Sequence, residues 1–385
     1  MGSCQSQPFS CLKDPREDPQ PPEPQYESMS IHFESESIYF KKLSATFRRK
    51  VELTSICYIP ETELLLGFQF ASKNFYIYNP RKNFKRIAVK RAEMEINDMI
   101  YSKDLKRIIV GGSVVQLWNP KTLKVEVQSP PLPDDSSAID VAFLPSSDIF
   151  AVKTETSILI SDKTLKAFTS FQLPDVSYER RSANFVSVSK DLLLAVCHHL
   201  NQRLFLFNLK SGAIKEYHQM IIPICNCVEM IQETPDNVFI CLTSRKPHYY
   251  LNGCDYPFQL TQFTIDPETE ELAITKMATE ISFHLLKKLN NSKNFLAMKH
   301  HVMFLLSINK DHVEIIHVFS EEIPYYMPVP QLFIMLNDES SIISFNKRRR
   351  VGESLHLYRK EKSQKQEISI EGLMKILQKF LVIPL

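Results

Sequence analysis

His198-His199 and His300-His301 are adjacent imidazole pairs, and Cys225-Asn226-Cys227 sets two thiols two residues apart. These are the residue types that hold metals or attack carbonyls, so their spacing decides whether they can do either. Each His pair follows an apolar run that reads as a strand. Neighbouring residues on a strand point to opposite faces, so neither pair presents both rings to one ion. The two thiols do share a face by the same rule, but no second pair stands at the spacing a structural zinc site needs. They read as buried cysteines packing as small hydrophobes. No nucleophile signature surrounds any of the eight cysteines. Gly111-Gly112 lies inside a strand pattern without a following Gly-Lys-Ser/Thr, which points to close packing rather than a phosphate cradle. The carboxylate pairs Asp134-Asp135 and Glu321-Glu322 fall in turns, where solvated charge is expected. The residues assemble no catalytic constellation and no metal or cofactor site.

Binding is better represented. The run Lys347-Arg348-Arg349-Arg350 reads as a turn ahead of the last strand, with Arg48-Arg49-Lys50 a smaller cluster. Four cations in a loop suit acidic lipid, an acidic partner or phosphate. Tyr249, Tyr250, Tyr256 and Phe258 surround Asn252-Gly253, the dipeptide of a tight hairpin, so Lys246 to Pro257 reads as an aromatic insertion able to anchor a partner. The N-terminus, Met1-Gly2-Ser3-Cys4-Gln5-Ser6, matches the myristoylation pattern with Gly2 as acceptor. Cys4 is placed for the palmitoyl group that would make such anchoring stable.

The elements that position these residues are strands. The chain has 385 residues, 44% apolar and 23% charged, with 46 basic against 44 acidic residues. No global field draws it to nucleic acid, and no apolar run approaches the roughly 20 residues that cross a bilayer. Residues 1–30, with Pro15, Pro19, Pro21, Pro22 and Pro24, read as a disordered arm. From 31 to 370, β-branched and aromatic runs alternate with polar turns. The clearest repeats are Phe75-Tyr76-Ile77-Tyr78-Asn79-Pro80, Val115-Gln116-Leu117-Trp118-Asn119-Pro120, Ile158-Leu159-Ile160-Ser161-Asp162 and Leu204-Phe205-Leu206-Phe207-Asn208. Their turns recur at roughly 40 to 47 residues, a propeller-blade period. Blades are expected at 51–91, 96–129, 137–173, 181–218, 222–277, 281–320 and 330–370, with Ser37 to Leu43 as an extra strand able to pair with the last blade and close the ring. Residues 371–385 read as a short amphipathic helix carrying Leu373, Ile376, Leu377, Phe380 and Leu381 at helical spacing.

The third-strand run Val115-Gln116-Leu117-Trp118-Asn119-Pro120-Lys121-Thr122 resembles the hydrophobic-Trp-Asp end of a WD repeat, and weaker copies extend the resemblance over residues 50–370. The chain departs from that family in having a single Trp, Asn119 for Asp, and no Gly-His pair. The resemblance implies an all-β, seven-bladed toroid whose surfaces bind proteins; regularly spaced strands also suit a sandwich. The functional expectation is a non-enzymatic scaffold, cytoplasmic or on the cytosolic face of a membrane, tethered through Gly2 and Cys4. An untethered subunit of a large assembly is the second reading, and an enzyme with a funnel site the third.

Overall fold

The computed structural model describes residues 27–33, 39–46, 53, 55–82, 85–173, 183–197, 203–217, 225–232, 238–243, 258–283, 285–289, 294–299, 302–319, 332–335, 341–348 and 352–361. They form seven sheets and almost no helix. From inside to outside, the first sheet runs Ser55–Ile59, Leu64–Phe68, Ser72–Asn79 and Lys85–Ile96. The second runs Asp98–Ser102, Arg107–Gly111, Val115–Trp118 and Val125–Gln128. The third comprises Asp140–Leu144, Ile149–Lys153, Ser157–Asp162 and Thr169–Gln172, and the fourth Ala183–Ser187, Leu192–Cys197, Arg203–Asn208 and Ile214–Glu216. All four are antiparallel meanders, each strand paired to the next in sequence.

The remaining sheets recruit the N-terminal chain. Cys225–Gln232, Val238–Thr243, Phe258–Ile265 and Leu272–Phe283 gain Glu27–Ser28 as a fifth, parallel strand on the outer edge. Leu285–Lys288, Asn294–Lys299, Val302–Ile308 and His312–Phe319 gain Ser30–Phe33 in the same way. The seventh sheet, Leu332–Met335, Ser341–Arg348 and Gly352–Glu361, takes Tyr39–Thr46 as its antiparallel outer strand. Sheet structure thus begins at Glu27, ahead of the boundary drawn at residue 30. The expected extra strand pairs where the repeat pattern puts it, in register Leu43 opposite Leu357. The outer strands of the first and fifth sheets run on to Ile96 and Phe283, past the expected blade ends at 91 and 277.

Among the described residues, core clusters lie between consecutive sheets. Phe68, Phe75 and Ile77 meet Met99, Ile108 and Trp118; Leu117 meets Phe150; Phe171 meets Phe207; Leu206 meets Phe263; Leu260 meets Phe295. A sheet sandwiched on both faces has no solvent side, so its central strands read as unbroken apolar runs, as in Leu192–Cys197. In Ile149–Lys153, Phe150 and Val152 pack towards the second sheet while Ala151 packs towards the fourth. The inner strands neighbour one another in order from the first sheet to the sixth, and Leu332–Met335 approaches Ser55–Ile59. No helix among the described residues is long and apolar enough to cross a membrane.

Candidate functional site

The turns that follow the third strands share one device. Asn79, Asn119, Asp162, Asn208, Asp266 and Asn309 each accept, through Oδ1, a backbone N–H two or three residues on. This Asx turn substitutes a side-chain acceptor for the missing ladder. Leu123, Leu165, Gly212 and Glu270 then take positive φ to reverse the chain. The backbone N–H groups of Glu268 and Thr269 hold the Asp266 carboxyl below its usual range; Asp162 is lowered chiefly by the Thr164 hydroxyl. At Asn119 the amide also donates to Glu126 at 2.7 Å, and with Arg107 it lowers that carboxyl.

Polar brackets then tie neighbouring sheets. Asp98 Oδ2 accepts the Val141 N–H at 2.9 Å across the second seam. Tyr101 donates to Glu61 across the first, and Ser147 meets Ser187 and the Ser189 carbonyl across the third. The Glu270 side chain accepts from Asn208, and its carbonyl from Lys215 and Tyr217, across the fourth. Burial, with the Glu270 charge nearby, raises the Tyr217 phenol; burial, with Asp98, raises the Cys57 thiol. Lys153, 3% exposed, turns its ammonium onto the carbonyls of Thr154 and Glu155. The buried Trp118 donates to Gln116, and Gln116 to Gln128. These groups carry structural hydrogen bonds.

The large apolar side chains that stay exposed lie on outer strands. Ile87 (57% exposed), Val89 (49%), Val125 (40%) and Val127 (37%) are the exposed large apolar side chains of the described residues, and they occupy the outer strands of the first and second sheets. Around the first two stand Arg81, Lys82, Lys85, Arg86, Lys90 and Arg91, all exposed. Arg81 pairs with Glu63, whereas the other five make no ion pair among the described residues. This is the cluster that sequence reading passed over. Six cations within 81–91 were visible, but that stretch holds no run as dense as Lys347 to Arg350.

Of the residues singled out from sequence, Phe258 begins the strand Phe258–Ile265 opposite Phe283, so it belongs to the sheet and not to a projecting hairpin. Lys347 and Arg348 end the strand Ser341–Arg348, opposite Glu353 and Gly352, so half of the expected turn is ladder. Gly2, Cys4, Tyr249, Tyr250, Tyr256, Arg349, Arg350, both His pairs, Arg48 to Lys50, Glu321-Glu322 and the 371–385 segment lie outside the described residues. The strand register slips between Cys225 and Val228. A side chain on Gly111 would strike Val141 at 2.8 Å, and one on Gly112 would lie 2.3 Å from the Glu95 carbonyl oxygen, the close packing expected of the pair.

No family model matches the chain, and no curated protein matches it in sequence. Solved structures do match in fold. The crystallographic β-propeller domain of Cps50 (Swd1) from Myceliophteria thermophila superposes with a TM-score of 0.53 at 11% identity, covering 83% of this chain and all of that one. The chain is a β-propeller. Dihydro-heme d1 dehydrogenase NirN in complex with DHE superposes at a TM-score of 0.48 and 15% identity, over 82% of this chain and 68% of that one. At 11% identity the likeness to the Cps50 domain speaks to fold alone.

Proposed function

We propose that this protein is a seven-bladed, ring-closed propeller of WD-repeat type that acts as a non-enzymatic scaffold for other proteins, held at the cytosolic face of a membrane by a myristoyl group on Gly2 and a palmitoyl group on Cys4. The observation that carries the scaffold reading is the rim surface of the first two sheets. Four large apolar side chains stand exposed on the outer strands of those two sheets, with exposed charged residues beside them along each strand. Large apolar side chains left exposed among charged ones favour contact with other proteins. Ring closure is supported by the pairing of Tyr39–Thr46 with Gly352–Glu361 and by the approach of Leu332–Met335 to Ser55–Ile59. The tether is supported by the N-terminal sequence.

Two measurements test the reading. A photo-crosslinking amino acid at Val127 of the full-length protein in cells is expected to give discrete adducts with other proteins, and the same group at exposed Thr169 of the third sheet to give few. Adducts equal at both positions, or absent from both, would overturn the rim as an interface. A clickable myristate analogue is expected to label the protein and to lose both label and membrane association in Gly2→Ala. Unlabelled protein with intact Val127 adducts would leave an untethered assembly subunit.

A further inference from the structure

The propeller covers some of its own outer edges and leaves others open, and the pattern follows strand length. The outer strands Val125–Gln128, Thr169–Gln172 and Ile214–Glu216 have four, four and three residues, too short to template a partner. The fifth and sixth sheets end in strands of 12 and 8 residues, and there the N-terminal chain adds Glu27–Ser28 and Ser30–Phe33 as fifth strands. That chain then supplies the outside of the seventh sheet itself. Next around the ring is Lys85–Ile96, also 12 residues, and among the described residues nothing pairs with its outer side. It is the longest outer strand there without a fifth.

The register sorts its side chains. Arg86, Val89 and Arg91 stand opposite Tyr78, Tyr76 and Asn74, on one face; Lys85, Ala88 and Lys90 stand opposite Asn79, Ile77 and Phe75, on the other. Ile87 falls at the bulge between them. Cations therefore occupy both faces of the open edge. A second copy of this strand would bring like charges together, which is how charged edges block self-pairing. The same charges favour a strand of opposite sign.

We propose that the edge Lys85 to Arg91 takes an extended acidic segment of a partner protein as a fifth strand, its carboxylates meeting cations on both faces and its apolar residues covering Ile87 and Val89. Backbone hydrogen bonds along the open ladder supply affinity, and charge supplies selection. Because Glu93 and Glu95, both exposed, follow on the same strand, the acidic stretch of the partner ends opposite Arg91. The inference rests on the scaffold reading and names the chemistry of one partner site.

The test uses the purified full-length protein and a fluorescent peptide, Asp-Glu-Ile-Glu-Val-Asp-Glu, followed by anisotropy. Saturable binding is expected, weakening with added salt as exposed charge pairs are screened. Methylating alternate peptide nitrogens is expected to abolish it, and reversing the peptide's charge likewise. Charge reversal by K85E, R86E, K90E and R91E together is expected to weaken binding about tenfold or more. Reversal of the exposed Lys103, Lys106, Lys121 and Lys124 of the second sheet serves as the control and is expected to leave it unchanged. A salt series on the unaltered protein keeps the test valid if the four-fold variant fails to fold.

Equal binding of the methylated peptide would overturn the strand geometry and leave simple charge attraction. Sedimentation with phosphatidylserine–phosphatidylcholine vesicles through the same four residues, with no peptide binding, would overturn the peptide in favour of a lipid surface. Absence of peptide binding while Val127 still crosslinks to other proteins would overturn this inference and spare the scaffold reading. Loss of both would remove the two together.

Discussion

Gly112→Ala asks whether the Gly111-Gly112 pair is there for packing, and the answer can be sized in advance. Gly112 is pinned on both sides: its N–H donates to the Val114 carbonyl at 3.0 Å and its own carbonyl accepts from Ala138 at 2.7 Å. A β-carbon there would lie 2.3 Å from the Glu95 carbonyl oxygen and 3.0 Å from Met94 Sδ. That is about 1 Å inside normal contact distance. Glu95 cannot simply slide, because Met94 and Ile96 on either side are buried in the first seam. Overpacking of this kind costs about 3 kcal/mol, and the alanine returns roughly 0.4–1 kcal/mol by restricting the unfolded chain. A net loss of about 2 kcal/mol follows. Spread over an unfolding entropy of about 2.1 cal/mol/K per residue, it lowers the melting temperature by about 2–3 °C. Thermal melts followed by Trp118 fluorescence report on the same seam. Adding Met94→Ala should not rescue the variant, since the nearest obstacle is backbone. Gly212→Asn, at a φ of +78° with nothing within 4 Å, should melt with the parent protein. An unshifted Gly112→Ala, or its rescue by Met94→Ala, would refute the reasoning.

Trp118→Phe should destabilise by about 1–3 kcal/mol, because it removes the indole donor from Gln116, which is 2% exposed; a conservative size change without that bond would cost less, and thermal melts separate the two. The carboxyls of Asp162 and Asp266 have folded-state pKa values below their unfolded ones, so their stabilisation is full above the unfolded carboxylate range and is lost as pH falls through the folded values. Asp266→Asn keeps the Oδ1 acceptor, so melts at descending pH should show a small change at neutrality and a shallower acid limb. Removing residues 1–50 strips the outer strand from the seventh sheet and the fifth strands from two others, and should lower the melting temperature by several degrees and broaden the transition, whereas removing residues 1–26 should leave calorimetric melting unchanged.

Strands and their repeat were legible because they are local. A largely apolar run of four residues ahead of Asn79, Asn119, Asp162 or Asn208 carries its own strand and its own turn, and the Oδ1 acceptor acts within three residues. Comparing Asn119 with Asp in one repeat obscured that either residue makes the same turn in six of them. The pairing of Tyr39–Thr46 with the last sheet was also legible, since an unassigned strand stood before the first repeat and an edge needed covering.

What stayed hidden depends on distant chain. Residues 27–30 read as the end of a polar arm, and only the edges of the fifth and sixth sheets, more than 240 residues further along, make strands of them. The run from Lys85 to Arg91 likewise has the same sequence whether its outer side is paired or open. The local chain determined strands, turns and a propeller period, because φ/ψ preference and Asx acceptors act over a few residues. Which strands became edges, and so where a partner can add to the ladder, was decided by the tertiary structure, because hydrogen bonding between strands is set by what lies beside them and not by what they are.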